Sequence, residues 1–462
     1  MVRKYFTLTL SLCFAHMLHS TPLPNTITGI VNDPSATIIY PASIAIMPDG
    51  TLGYVSSQVA QTGSINIIHM KTNTVIGLVD DPASTLTGIN TIAISPNGNV
   101  AYVSNTPTST VSILDTEEYS NCWNTILGTV NDPYDTLAFP NAIAFTPDGK
   151  KAYVVNGYPG SVSVIDSDIT SPQYYSITKI VHDPDSTFQS SSSIAISPDG
   201  TKAYVGNTNN NTVSIIDVAT DTVTGIINAG SFPFNSPYAI VFASNETAYV
   251  TNFNGNNINI IDVANDSVTG TIHDPSNYLS GPRAANITPD NATIYVACAG
   301  NKVAIVDVKT NTATGYVSDP LSTLNAPYSI AFTPDGDIFG YITNLYGNSV
   351  SIAFVHYAPS PSPVLPPSSV QGCKTKNVFF TQTDYINRIT WTAPTSGLTP
   401  VKYKIYRDAA LMQPLATISA TGPLEYYDHN RQPNITYSYY IVAIDQNNQI
   451  SSAASITVTD QC

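Results

Sequence analysis

The chain has 462 residues, enough for two or three domains with large cores, so disordered and mini-protein readings are set aside. Only 11% of residues are charged, while 28 Tyr among abundant Val, Ile and Thr favour strands. Its 17 basic and 32 acidic residues leave a formal net charge of −15, which opposes binding to nucleic acid and to anionic membrane surfaces.

In chain order, residues 1–20 read as a signal peptide. Arg3 and Lys4 give a basic start, Tyr5 to Ala15 an apolar run too short to span a bilayer, and Ser20 a small residue for cleavage. Leu12, ahead of Cys13, is larger than the residue lipoprotein signals carry there, so export without lipidation is expected. No later apolar run reaches transmembrane length, which predicts a periplasmic, cell-surface or secreted protein in an oxidising compartment.

From residue 25 to 356 one pattern recurs: Ile-Ala-Ile/Phe-x-Pro-Asp-Gly, Tyr-Val-x-Asn, Val-Ser-Ile-Ile-Asp, then Thr-x-Thr-Val-x-Gly. Its proline position falls at Pro48, Pro96, Pro147, Pro198, Ser244, Pro289 and Pro334, which makes seven copies. Each copy holds four short β-branched or alternating segments bounded by Gly, Asn, Asp or Pro, hence four antiparallel strands. One such unit cannot bury both faces, whereas seven arranged radially can, so the copies predict a seven-bladed β-propeller. The last copy stops after Ser349 to Ile352, and Asn25 to Gly29 matches the fourth-strand segment Asn311 to Gly315. The N-terminal strand is therefore expected to complete the last blade and remove an exposed sheet edge.

The motifs Tyr102-Val103-Ser104-Asn105, Tyr153-Val154-Val155-Asn156, Tyr204-Val205-Gly206-Asn207, Tyr249-Val250-Thr251-Asn252 and Tyr341-Ile342-Thr343-Asn344 resemble YVTN-type propeller repeats of secreted and surface proteins of bacteria and archaea. Tyr54 to Ser57 and Tyr295 to Cys298 depart from them at the terminal Asn. That Asn is expected to bond backbone in the following turn, and Pro-Asp-Gly to form the first hairpin.

Residues 357–372 hold five prolines among Ser residues and predict a semi-rigid polyproline II spacer. Beyond it, Ile389-Thr390-Trp391, Val401 to Tyr406 and Thr436 to Ala443 alternate as strands of a β-sandwich across residues 373–462. With Trp391 early and a candidate tyrosine corner at Tyr437, the segment resembles a fibronectin type III module, a family that usually spaces or binds. Cys373 and Cys462 bracket the sandwich and are expected to form a disulfide, while Cys122 and Cys298, on non-adjacent blades, are expected to stay thiols. The fold class expected is all-β throughout.

No catalytic or cofactor motif stands out: there is no Gly-x-Ser-x-Gly, His-Glu-x-x-His, Cys-x-x-Cys or Gly-rich phosphate loop. No cofactor and no metal ligand are expected. His182 and His273 read as exposed loop residues, and the recurring Asp-Pro dipeptides at Asp33, Asp81, Asp132, Asp183, Asp274 and Asp319 as turns that could also hold calcium weakly. One place escapes the repetition. The residue two before each inner strand reads Ala42, Asn90, Asn141, Ser192, Tyr238, Arg283 and Tyr328, at the mouth of the central channel. Arg283 is the single Arg between residues 25 and 356, so Asn90, Asn141, Tyr238, Arg283 and Tyr328 form the candidate ligand site, able to grip a carboxylate, a sugar or a peptide. The competing reading makes Arg283 a solvated rim residue or the partner of a nearby Asp.

The expectation drawn is an exported, monomeric, non-enzymatic protein whose propeller face binds a protein or glycan. The alternative is a hydrolase of the sugar-lactonase type, which these repeats resemble at the level of fold. None of Glu117, Glu118, Glu246 and Glu425 is placed to serve the channel, which favours binding over hydrolysis.

Overall fold

The computed structural model describes residues 23–462 except 60–61, 119, 159, 184–187, 189, 273, 275, 335–336, 357–364, 379–382, 395–398, 408–413, 430, 433–434, 445–450 and 460–462. The signal segment, the first half of the spacer, His273 and Cys462 thus lie outside the described residues. The chain divides into two units, residues 1–356 and 357–462. Every described regular element is a strand, and the fold is all-β as the sequence predicts. No helix among the described residues is long and apolar enough to cross a membrane.

The first unit is a seven-bladed β-propeller. Each blade is a four-stranded antiparallel sheet; blade six, for example, runs Pro282–Ile287, Thr293–Cys298, Lys302–Asp307 and Thr312–Tyr316 from axis to rim. Hairpin chemistry sets the strand boundaries. At Pro147-Asp148-Gly149, Gly149 adopts φ 71°, its N–H donates to the Thr146 carbonyl at 2.9 Å, and Asp148 Oδ1 accepts the Lys150 N–H at 3.1 Å. The inner strand of blade one, Ile44–Ile46, packs against those of blade two, Ile89–Ile94, and blade seven, Pro327–Phe332, which closes the ring. Blade seven is completed by the N-terminal strand Thr26–Ile30, paired antiparallel to Ser349–His356 with Ile27 opposite Ala353 and Ile30 opposite Ser351.

The core lies between blades rather than within one. Seven apolar clusters each combine two adjacent blades; between blades two and three, Tyr102, Ile113 and Val130 meet Ile143, Val154 and Ile165. Every such aliphatic side chain contributes about 1.5–3 kcal/mol when fully buried.

A second ring of contacts runs through these clusters. The tyrosine opening each Tyr-Val-x-Asn segment is buried and reaches into the next blade. Tyr54 donates to Asn124 Oδ1 at 2.6 Å, Tyr204 to Asp266 Oδ1 at 2.6 Å, Tyr249 to Asn311 Oδ1 at 2.6 Å and Tyr341 to Asn73 Oδ1 at 2.5 Å. Tyr153 donates likewise to Asp221 and Tyr295 to Asn25, while Tyr102 pairs with Ser167 Oγ at 3.0 Å. Six of the seven acceptors are Asn or Asp held at positive φ, from 47° at Asp266 to 59° at Asn124, in the turn before an outer strand. These are the side chains that tolerate the left-handed region best after Gly. From blades three and four, Lys151 and Lys202 add ion pairs of 2.8 Å to the same Asp221 and Asp266 of the next blade.

The Asn ending the motif behaves differently from the sequence expectation. It does not cap the following turn. Asn105, Asn156, Asn207 and Asn344 donate Nδ2 to a serine of the third strand, for instance Asn105 to Ser112 at 2.8 Å. Their Oδ1 atoms accept from the connection entering the blade, as from Thr87 N–H to Asn105 at 3.1 Å. The Asn is fully buried at the end of its strand, so the buried neighbours on both sides satisfy it before the solvated turn can.

The second unit is a β-sandwich. One sheet holds Ser368–Val378, Thr383–Thr392 and Glu425–Asp428; the other orders Pro414–Ser419, Lys402–Tyr406, Tyr437–Ile444 and Ala454–Val458. Ile389, Trp391, Tyr403, Ile405, Tyr439 and Ile441 fill the space between them. Cys373 is disulfide-bonded, and Cys122 and Cys298 are free.

Two predictions follow from the ring. Deleting residues 25–30 removes the outer strand of blade seven and the acceptor of Tyr295, so the variant is expected to melt lower and to self-associate through the bared edge. Calorimetry with light scattering checks this; a monomeric variant of wild-type stability contradicts it. Burial pushes the phenols of the ring above their usual range, Tyr341 to about 12 from 10.0. In the unfolded chain these groups ionise near 10, so stability is constant below that pH and falls above it, by about 1.4 kcal/mol per pH unit for each tyrosine. Urea midpoints should hold from pH 8 to 9.5 and drop steeply beyond 10; a midpoint flat to pH 11 refutes the assignment.

Candidate functional site at the channel mouth

The inner strands all begin on the face that carries the connections between blades, and their first residues ring the axis. Asn90, Asn141, Tyr238, Arg283 and Tyr328 line one cavity of about 710 Å³, together with Ala42 and Ser192. The structure thus brings all five candidate residues together, but in two different roles.

On the side of blades two to four the polar groups serve the scaffold. Asn90 Nδ2 donates to the Asn141 carbonyl at 3.0 Å, and Asn141 Nδ2 to the Ser191 carbonyl at 3.1 Å, each linking its blade to the next. Ser192 Oγ pairs with Thr208 Oγ1 at 2.8 Å. One N–H of each amide is therefore engaged by the scaffold, and these residues present a polar wall to the channel.

On the side of blades five to seven the wall is aromatic and cationic. The Arg283 guanidinium lies over the Phe253 ring at 5.4 Å and over the Tyr328 ring at 6.0 Å. Phe253 in turn packs on Tyr238, with ring centroids 5.8 Å apart. Aromatic faces on a guanidinium leave its in-plane N–H edge for a ligand. Arg283 is half-buried and, among the described residues, makes no ion pair with an Asp. Burial is the main cause holding the Tyr328 hydroxyl protonated well above its ordinary range, assisted by the neighbouring Tyr238 and opposed by Arg283. A phenol so held is a hydrogen-bond donor at neutral pH.

Blade six departs from the repeat in three places at once. Arg283 stands at the mouth, Ala285 replaces the Ile of the other inner strands, and Asn286 replaces the small residue that follows it. Asn286 Nδ2 donates to the Ile330 carbonyl at 3.0 Å, bridging to blade seven. Asn286 and Phe253 were missed from sequence. Asn286 was legible as a break in the Ala column, whereas Phe253 follows the Tyr-Val-x-Asn motif at a position where the other copies share no single residue type.

The connecting Asp residues are turn elements. Asp33, Asp81, Asp132, Asp274 and Asp319 each accept the backbone N–H five residues on, at 2.8–2.9 Å. Among the described residues no group of three or more His, Cys, Asp or Glu is arranged to hold a metal ion. Cys298 is buried and its thiol is pushed up to about 11, chiefly by burial, which keeps it inert at neutral pH.

Residues 139–285 match a family described as lactonase, 7-bladed beta-propeller. The matched stretch spans blades three to five and ends in the inner strand of blade six, two residues after Arg283. This match overturns the expectation of a non-enzymatic chain: residues 139–285 resemble a family of enzymes, which the absence of short motifs does not exclude. Among solved structures, hydrazine synthase from Kuenenia stuttgartiensis is similar, with a TM-score of 0.54 at 20% identity, over 73% of this chain and 98% of that one. At that identity the likeness shows the fold alone. No curated protein matches the chain.

The two roles are separable by mutation. Asn141→Ala breaks an interblade hydrogen bond and is expected to cost about 1 kcal/mol of stability, whereas Tyr238→Phe should change it by less than about 0.5 kcal/mol. Equal effects in urea unfolding would contradict the division.

Proposed function

We propose that the propeller hydrolyses a lactone, of sugar type, at the channel mouth. The observation that carries this reading is the match of residues 139–285 to a lactonase propeller family, ending beside the single arginine between residues 25 and 356. The cavity chemistry supports it. Attack of water on a lactone carbonyl creates an oxyanion as the attacking water gives a proton to channel water, and collapse breaks the ring C–O bond while the departing oxygen takes a proton from channel water, giving a hydroxy acid. Arg283, with its edge open to the channel, and the protonated Tyr328 supply two donors to that oxyanion, and Arg283 then holds the product carboxylate. Among the described residues, no carboxylate or imidazole lines the cavity, so the catalysis assigned is electrophilic, with the attacking water drawn from the channel. Asn90 and Asn141 fix the polar wall against which sugar hydroxyls would rest.

The remaining features fit an exported protein. A disulfide at Cys373 suits an oxidising compartment. The Tyr437 hydroxyl accepts the Gln432 N–H at 3.4 Å, a few residues upstream, as in a tyrosine corner, which supports a fibronectin type III-like spacer. The repeat pattern itself supports a YVTN-type propeller.

The test is hydrolysis of a panel of γ- and δ-sugar lactones followed by pH-stat. Wild-type protein is expected to open at least one, and Arg283→Ala and Tyr328→Phe each to lower kcat by roughly 10²-fold, the effect of losing one oxyanion donor, with stability retained. No turnover on any lactone, or an undiminished Arg283→Ala variant, refutes the proposal.

A further inference from the structure

The channel mouth has a second cavity beside it. At the seam where blade seven meets blade one, Ile30, Ala36, Ile38, Ile39, Asn348 and Ser349 line a groove of about 590 Å³. In blade one Ala42 lines the mouth and Ile39 the groove; in blade seven Tyr328 lines the mouth and Asn348 the groove. The ridge between the two cavities is tied together. The Tyr40 N–H donates to Asn348 Oδ1 at 2.9 Å, and the Leu345 N–H to the Ala326 carbonyl at 3.0 Å.

Two tyrosines stand on this ridge. Tyr40 and Tyr346 keep 48% and 64% of their surface exposed, so burial explains neither. Tyr346 lies close enough to Tyr328 to help hold its hydroxyl protonated, after burial and Tyr238. Tyr40, two residues before Ala42, occupies a column whose backbone has φ between 44° and 60° in all seven blades. Gly88, Ser190, Ser236, Gly281 and Ala326 stand there in five of them, whereas a bulky side chain in the left-handed region is strained. A strained aromatic left half exposed contributes little to the fold, and such strain concentrates at ligand sites.

We propose that Tyr40 and Tyr346 form a second sugar subsite, a step that rests on the lactonase reading of the mouth. The substrate is then the lactone end of a neutral oligosaccharide, whose next ring lies over the two tyrosines and into the groove. A sugar ring offers an apolar C–H face to an aromatic ring and hydroxyls at its edge. The tyrosines meet the first, and Asn32, Asn348 and Ser349 along the groove meet the second. The carboxylate in the groove, Asp33, is taken by the Ile38 N–H at 2.8 Å and the Thr37 hydroxyl at 3.1 Å. No Lys or Arg lines the groove among the described residues, and the propeller's excess of acids repels an anionic polymer, which leaves a neutral one.

The test compares hydrolysis of glucono-δ-lactone with that of cellobionolactone and maltobionolactone by the full chain, and titrates cellotriose and maltotriose, which hold no lactone, by calorimetry. A disaccharide lactone is expected to show at least tenfold higher kcat/KM than the monosaccharide lactone, gained in KM. Tyr346→Ala and Tyr40→Gly should each lower that advantage at least threefold and weaken trisaccharide binding alike. Tyr40→Gly also relieves the backbone, so its melting temperature should equal or exceed that of the wild type, and its lost affinity is then not lost fold. Phe139→Gly, at the other bulky residue of the column, lies on blade three and should keep the advantage; an equal loss there overturns the placement. Equal kcat/KM for mono- and disaccharide lactones, or tyrosine variants that behave as the wild type, overturn the subsite while lactonase activity stands. If no lactone is opened, the lactonase reading fails alone where a trisaccharide binds and Tyr40→Gly weakens it; no trisaccharide binding overturns the subsite as well.

Discussion

The fold depends on a buried phenol in each blade that finds its acceptor in the next. A tyrosine placed in an interblade core contributes area, but its hydroxyl costs about 1–3 kcal/mol if left without a partner. The Asn and Asp residues at left-handed turns provide that partner, from Asn124 for Tyr54 round to Asn73 for Tyr341. Blade position is thus fixed twice, by non-directional packing and by a directional bond. The chain of bonds closes only if Asn25 is present for Tyr295, so the N-terminal strand is part of the ring rather than an appendage to it.

A scaffold pinned near its outer turns leaves the inner strands free to vary at their starts. Six blades use that freedom modestly, with Ala, Asn, Ser or Tyr. Blade six uses it fully, with Arg283, Ala285 and Asn286 in four residues. Even there the scaffold takes its share, since Asn286 ties to Ile330 as Asn90 ties to Asn141. The reactive potential is concentrated in Arg283 and Tyr328, which face the channel from adjacent blades and are ordered by Phe253 and Tyr238.

The blades were legible because each repeat carries its own turn chemistry, and Pro-Asp-Gly or a Gly substitute marks nearly every first hairpin. The five mouth residues were legible because seven copies align and their exceptions show. Side-chain contacts, within a copy or between copies, were not legible in that way. Nothing in one repeat says that Asn105 bonds Ser112 and Thr87 rather than its own turn, because burial, not local spacing, decides which partner wins. Phe253 escaped for the same reason: it belongs to the site through a neighbouring blade. The likeness to a family of enzymes was not legible either, since a search for short motifs finds only sites made by one segment.

The acidity of the propeller follows from the same turn chemistry and bears on the site. Asp33 and its equivalents accept backbone N–H groups in the connections, and Asp148 and Asp199 do so in the first hairpins. Hydrogen bonds to the ionised form hold several of these carboxylates below their ordinary range; for Asp199 the Ser197 hydroxyl is the largest cause. The carboxylates so held, Asp148, Asp168, Asp199, Asp217, Asp262 and Asp307, belong to blades three to six. An anion approaching such a body is repelled at long range, with a reach of about 8 Å at physiological salt. Arg283, flanked by aromatic rings in a cavity without carboxylates among its described residues, offsets that repulsion only at short range. On the proposed reading a neutral lactone would enter without opposition, whereas a hydroxy-acid product would be held by Arg283 and repelled once it left contact. The surrounding charge would then favour entry of a neutral ligand and departure of an anionic one.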